Sequence, residues 1–275
     1  MAVANVGSVS LEYSSQGHGE PVLFVHGSFL ADSLRPLFED PYLAGQFHLI
    51  LYHRRGFAGS SRLAGACSLS DQAQEASSLL AALGHASAHL VAHSYGCLIA
   101  LQLALQEPGR VLSLTLLETA LPPSLLVAAG DEEVASVRFR AYRLYLLGQH
   151  EQAVDLSLEL AFGTGYRQAI SRALPPDAFE LAVRDADSYF RGDSEAAAHW
   201  VFTPELARWI RCPVLSVVGS RSAPRFVEAH RQVLLPWLPS AVPLEVPGAS
   251  HLLQLEAPTQ VAQAISPFLK RAGTL

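Results

Sequence analysis

The first 121 residues alternate between two hydrophobic periods. Val9, Leu11 and Tyr13 are spaced by polar neighbours, so residues 6–13 read as an antiparallel, hairpin-like strand. A turn at Gly17-His18-Gly19-Glu20-Pro21 leads into the unbroken apolar run 22–25, the mark of a strand buried on both faces of a parallel sheet. The scheme repeats. Residues 34–43 predict a short helix and 47–52 a strand. A loop, His53-Arg54-Arg55-Gly56-Phe57-Ala58-Gly59-Ser60-Ser61, precedes an amphipathic helix over 70–83, with N-cap chemistry in Ser68-Leu69-Ser70-Asp71. The run His89-Leu90-Val91-Ala92-His93 stops at Ser94, and a helical pattern starts at once over 97–104. After Gly109-Arg110, residues 111–117 form another apolar strand that closes on Glu118.

From Leu121 the rhythm changes. Pro122-Pro123 opens a stretch without a buried strand, reaching about residue 209, with helices predicted over 131–147, 150–162, 176–190 and 195–200. The aromatic residues Phe139, Tyr142, Tyr145, Phe162, Tyr166, Tyr189, Phe190 and Trp200 gather there. Most are expected to pack the insertion's own small core, with the remainder shaping a pocket. Strand pattern resumes over 214–219 and 242–246, separated by a helix over 225–238. The turn Gly248-Ala249-Ser250-His251 and a helix over 258–270, with Pro258 suited to its first turn, complete the chain.

This pattern predicts an α/β fold with a mostly parallel, doubly wound sheet. The core spans residues 1–121 and 210–275, and an all-helical insertion occupies 122–209. In such sheets ligands bind at the C-terminal ends of strands, where His26, Ser94 and Glu118 all fall.

Composition narrows the function classes. A net charge of −6 and the absence of a Lys/Arg run argue against a nucleic-acid surface. Three cysteines without metal spacing fit a reducing compartment, and no metal site is expected. No apolar run reaches the roughly 18 residues needed to span a bilayer. The N-terminus shows no basic stretch followed by an apolar block. A cytoplasmic protein acting on a small molecule, as a monomer or homodimer and without membrane partners, is the expectation.

Ser94 is the centre of the candidate chemistry. A serine at a strand-to-helix corner stands at a helix N-terminus, where free N–H groups and the helix dipole favour the negative charge created by nucleophilic attack. The corner requires small flanking residues, and Ala92 and Gly96 supply them. The run Ala92-His93-Ser94-Tyr95-Gly96 resembles the nucleophile elbow of the α/β-hydrolase fold, with alanine in place of the commoner first glycine. The His26-Gly27 loop, the Arg55-Gly56-Phe57-Ala58-Gly59-Ser60 loop, the helical insertion and the Gly248-x-x-His251 turn follow in that family's order. Nearly the whole chain is therefore similar to an α/β-hydrolase with a helical cap.

The resemblance implies a serine nucleophile, Ser94, and a base, His251, which follows a strand through a glycine-containing turn as the family's catalytic histidine does. It implies an oxyanion hole from the backbone amides of Ser28 and Tyr95, each worth roughly 3–4 kcal/mol in enzymes where donors were removed. His26 would hold the oxyanion turn, and His93 would be structural. No metal or organic cofactor is required. One member departs from the pattern: the loop Gly219-Ser220-Arg221-Ser222-Ala223-Pro224 carries Ser222 where many members have an aspartate. Glu118 preserves the order Ser…Glu…His and is the acid of choice, as in relatives similar to haloalkane dehalogenases. Asp185, Asp187 or a Ser–His dyad remain alternatives.

A serine at 94 makes an acyl intermediate and excludes the alkyl-ester chemistry of epoxide hydrolases and haloalkane dehalogenases. Hydrolysis of a small or medium carboxylic ester or lactone is the leading reading. The same triad elsewhere serves carbon–carbon bond hydrolases, lyases and cofactor-free dioxygenases, and a ligand-binding protein with a weakened triad is a further rival.

Overall fold

The computed structural model describes residues 1–122, 125 and 132–273. Its strands are β1 (Ala2–Val6), β2 (Val9–Gly17), β3 (Pro21–Val25), β4 (His48–Tyr52), β5 (Ala88–His93), β6 (Val111–Leu117), β7 (Val214–Gly219) and β8 (Ala241–Val246). They form one sheet in the order β1-β2-β4-β3-β5-β6-β7-β8. The pairs β1–β2 and β2–β4 are antiparallel, and every other pair is parallel. The α/β sheet has the doubly wound form expected of the continuous apolar runs: every residue of β5 and β7 is buried.

Both sheet faces are covered. Helices Leu69–Ala82 and Gly96–Gln106 bury Leu79, Leu80, Leu98 and Leu101 on one side. Pro258–Ala272 and the short turns Arg35–Phe38 and Pro41–Ala44 bury Leu37, Leu43, Ile265 and Leu269 on the other. Each such side chain contributes roughly 1.5–3 kcal/mol. The Leu69–Ala82 helix begins in a capping box between Ser68 and Asp71.

Several boundaries differ from expectation. Residues 6–13 are not one strand, because the chain reverses after Val6 at Gly7, whose φ is +65°. Only glycine takes that left-handed conformation without cost. The helix expected over 34–43 is two turns. Asp40 precedes Pro41, is held out of the helical conformation, and caps the second turn by accepting from the Tyr42 and Leu43 amides at 2.9 and 3.1 Å.

Between β6 and β7 the described elements are helices: Glu132–Leu146, His150–Phe162, Tyr166–Ala173, Ala178–Arg184, Ser194–His199 and Pro204–Ala207, with a π-helical turn at Ser188–Asp193. Pro123 and Asp131, named in the expected insertion, lie outside the described residues. The helix expected over 176–190 ends at Arg184, and Tyr166–Ala173 was not foreseen. Ala153, Leu158, Tyr166 and Ile170 form a small core here that also takes in Phe29, Leu30 and Leu252 from the sheet's loops. Among the described residues, no helix is long and apolar enough to cross a membrane.

Candidate active site

Ser94 follows the last residue of β5, and Glu118 follows the last residue of β6. Because His93 pairs with Leu117, the two stand side by side at the C-terminal edge of the sheet. Both are left-handed, with φ of +54° and +53°. A non-glycine residue there is strained, and such residues persist where surrounding structure over-determines them. Ser94 is fixed by its amide donating to Leu117 O at 2.9 Å, and Glu118 by its amide donating to Val217 O at 2.9 Å. The corner is tight on the far side too: a Cβ on Gly96 would overlap the Val25 and His26 carbonyl oxygens. Glycine at 96 is thus a packing requirement.

The three side chains proposed from sequence meet in one line. Ser94 Oγ is 3.1 Å from His251 Nε2, and His251 Nδ1 is 3.2 Å from Glu118 Oε2. The other carboxylate oxygen, Oε1, accepts from the Gly219 amide at 2.5 Å and from the Ser222 hydroxyl. Ser222 therefore supports Glu118. Burial pushes the Glu118 carboxyl up from its ordinary value, and the Ser222 and Gly219 donors oppose that shift. Burial, and next the Arg225 charge, hold His251 below the usual imidazole range, in the neutral form that can accept a proton.

His251 is clamped on both sides of its path. Its ring stacks on Phe226, with centroids 3.8 Å apart, and on Phe162 at 5.3 Å. Its backbone oxygen accepts from His93 Nε2 at 2.8 Å. The preceding turn is stapled by Glu256, which accepts from the Ser250 amide at 2.6 Å and hydroxyl at 2.7 Å. His93 itself stays neutral, its pKa lowered to about 3 by burial and then by the neighbouring His251. The alternative acids lie elsewhere: Asp185 binds Arg62 at 2.8 Å and the Ala58 amide at 2.7 Å, while Asp187 accepts from the Tyr145 hydroxyl at 2.5 Å.

The turn after β3 lies against Ser94. A Cβ on Gly27 would come within 3.0 Å of Ser94 Cβ. His26 donates from Nδ1 to Gly27 O at 2.7 Å and accepts from the Arg54 amide at Nε2 at 3.0 Å, which fixes its neutral tautomer. Among the described residues, neither the Ser28 nor the Tyr95 amide donates to a protein acceptor. The Phe29 amide is likewise unengaged.

A cavity of about 580 Å³ opens over Ser94 and His251. Five of the eight aromatic residues singled out from sequence line it: Phe139, Tyr142, Phe162, Tyr189 and Phe190. The expectation that most would serve only an internal core is thereby corrected. Phe162, Tyr189 and Phe190 belong to the segment's core cluster and line the cavity as well, so one ring can serve both. Tyr145 and Tyr166 are buried within the segment, and Trp200 stacks on Phe202. Sequence reasoning passed over Phe226, Arg54 and Asp193, whose partners are remote in the chain. Among the described residues, no group of three or more His, Cys, Asp or Glu side chains could hold a metal ion.

Comparison with known proteins agrees with this architecture. The chain is 26% identical over 277 residues to 2-(acetamidomethylene)succinate hydrolase of Mesorhizobium japonicum, covering 96% of this chain and 93% of that protein. A shorter match, 36% identical over 117 residues, covers 42% of this chain and 43% of a protein assigned as a carbamate hydrolase from Azorhizobium caulinodans. Among solved structures, an esterase from Thermogutta terrifontis superposes with a TM-score of 0.76 at 24% identity, over 98% of this chain and 96% of that one. The enol-lactonase of Burkholderia xenovorans gives 0.77 at 19% identity, over 98% and 100%. At those identities the likeness is one of fold. The family model described as alpha/beta hydrolase fold matches residues 20–258, and the chain belongs to that family.

Proposed function

We propose that this protein is a serine hydrolase that cleaves a small or medium carboxylic ester or lactone through an acyl-enzyme. The unbroken contact from Ser94 Oγ through His251 to Glu118 carries the reading, at 3.1 and 3.2 Å. A serine hydroxyl is a weak nucleophile until a base takes its proton, and neutral imidazole suits that task. Ser94 attacks the carbonyl carbon while His251 Nε2 accepts the proton. The carbonyl electron pair moves to oxygen, which the Ser28 and Tyr95 amides receive. Glu118 holds the ring and balances the imidazolium. The proton then passes to the leaving alkoxide, and His251 activates water to release the acid.

The lining favours an acyl or aromatic substrate over a sugar or phosphate, since aromatic and aliphatic side chains dominate the cavity. The esterase and enol-lactonase among the structural neighbours are compatible with this substrate class. Action in the cytoplasm, as a monomer or homodimer and without a cofactor, belongs to the same proposal. A fluorophosphonate probe tests it: Ser94 Oγ bonds to phosphorus, fluoride leaves, and the proton passes to His251. Mass spectrometry should find the adduct on Ser94, with p-nitrophenyl butyrate hydrolysis lost in parallel. An unlabelled Ser94 in folded protein would overturn the reading.

A further inference from the structure

Arg54 is an expensive residue to keep where it is. Its side chain is 3% exposed and forms a two-pronged ion pair with Asp193, Nη1 to Oδ1 at 2.9 Å and Nη2 to Oδ2 at 2.8 Å. Asp193 belongs to the π-helical turn between β6 and β7, 139 residues away in the chain, and its side chain is also 3% exposed. Burying such a pair costs several kcal/mol per ion, and apolar residues of similar size often do as well for stability. A packing role alone does not account for it.

Apart from a contact with Phe57, the remaining side-chain contacts of Arg54 lead toward the two free amides. Nη2 donates to Gly27 O at 2.9 Å, the oxygen that also accepts from His26. In a planar trans peptide the C=O and N–H point in opposite directions. Drawing Gly27 O toward Arg54 therefore aims the Ser28 N–H away from it. A cation at that oxygen also polarises the same peptide, which strengthens its N–H as a donor. Asp193 Oδ2 fixes the next atoms by accepting from Ser28 Oγ at 2.7 Å. On the other side, the guanidinium lies 4.9 Å over the Tyr95 ring and 4.5 Å over Phe57. Nη1 donates to Gln72 Oε1 at 2.7 Å, and Gln72 Nε2 donates to the Tyr95 hydroxyl at 2.8 Å.

From these contacts we infer that the buried Arg54–Asp193 pair is a positioning device that aligns the Ser28 and Tyr95 amides as oxyanion donors, so that their alignment depends on the seating of the helical segment carrying Asp193. The inference rests on the serine-hydrolase reading. Arg54 and Asp193 act through the backbone they hold, as positioning residues.

The test separates transition-state from ground-state binding. An alkyl trifluoromethyl ketone accepts Ser94 Oγ at its carbonyl carbon; the carbonyl pair becomes an oxyanion and the hydroxyl proton moves to His251. The matching trifluoromethyl carbinol has the same shape and cannot add. In Arg54→Met/Asp193→Leu, which removes both charges together, kcat for p-nitrophenyl butyrate should fall about ten- to a hundredfold, the scale of a misplaced group. Ketone affinity should fall by the same factor, with KM and carbinol affinity within about threefold. If that variant does not fold, Arg54→Lys and Asp193→Asn should show the same selective loss of ketone over carbinol. A ketone-to-carbinol ratio equal to wild type in the folded variants would overturn the inference and leave the hydrolase reading intact. A wild-type protein that neither hydrolyses the ester nor prefers ketone to carbinol would overturn both.

Discussion

Ser222 donates its hydroxyl to the carboxylate oxygen of Glu118 that faces away from His251. A serine in the loop after β7 thus partners a carboxylate supplied from the end of β6. With the Gly219 amide, it leaves Glu118 Oε2 directed at the imidazole while Oε1 is satisfied. The carboxylate is buried, so losing either donor raises the cost of its charge.

Removing that donor should therefore weaken, without abolishing, the acid. Ser222→Ala is expected to lower kcat about fivefold, equivalent to roughly 1 kcal/mol. Steady-state kinetics on p-nitrophenyl butyrate, with KM nearly unchanged, checks this. A rate equal to wild type would mean that the Gly219 amide alone suffices.

The proximity also predicts that the acid can be moved. Glu118→Gln/Ser222→Asp should hydrolyse ester at least about tenfold faster than Glu118→Gln alone, because a carboxylate returns beside the same site. Ser222→Asp on its own should be destabilised, since two carboxylates would crowd one pocket. Equal rates for the single Gln variant and the double variant would show that position 222 cannot reach His251.

Two glycines should separate stability from activity. A Cβ on Gly96 overlaps backbone oxygens of β3 and its following turn, neither of which can yield. Gly96→Ala should cost on the order of 1–3 kcal/mol, a fall of about 3–10 °C in Tm. On Gly27 the same atom presses on Ser94 Cβ at 3.0 Å and His93 O at 3.1 Å. Gly27→Ala should therefore keep most of its Tm and lose about a hundredfold in kcat. Calorimetry beside kinetics distinguishes the two, and an active Gly27→Ala would contradict the packing around Ser94.

His53 gives the stability a pH dependence. Its Nδ1 lies 2.8 Å from Glu12 and its Nε2 3.2 Å from Asp32, so both ring nitrogens face carboxylates. Burial pulls its pKa down, but Asp32 and Glu12 outweigh it and the folded value is raised. The stabilisation is then full below the unfolded value of about 6.5 and is lost as pH rises through the folded value. Relative to His53→Gln, the wild type should lose stability as pH rises above about 6.5 and through the raised folded value. Urea melts across that range test it, and parallel curves for the two proteins would contradict the charged pairing.

Much of this was legible in the chain because it is local. Strand β6, strand β7 and the helix His150–Phe162 were delimited to the residue by apolar runs and punctuation. Glu118 stood out because strand ends are few and the loop after Gly219 lacked an acid. What escaped was long-range. Nothing near Arg54 in sequence announces Asp193, and nothing near Ser222 announces that it would cap a carboxylate from another strand. The turn at Gly7 is marked in the sequence only by a one-residue change of phase, from Ala4 and Val6 to Val9 and Leu11. Helix Tyr166–Ala173 escaped because its apolar positions are sparse and its partners include the remote turn Leu253–Glu256 as well as neighbouring helices of the segment.

The most direct measurement is the hydrolysis rate of p-nitrophenyl acetate and butyrate by wild type, Ser94→Ala, His251→Ala and Glu118→Gln. The arrangement at 3.1 and 3.2 Å predicts that each substitution removes at least about two orders of magnitude from kcat while the proteins remain folded. A Glu118→Gln variant near wild-type rate would remove Glu118 from the triad, and a Ser94→Ala variant equal to wild type would contradict the serine-hydrolase account altogether.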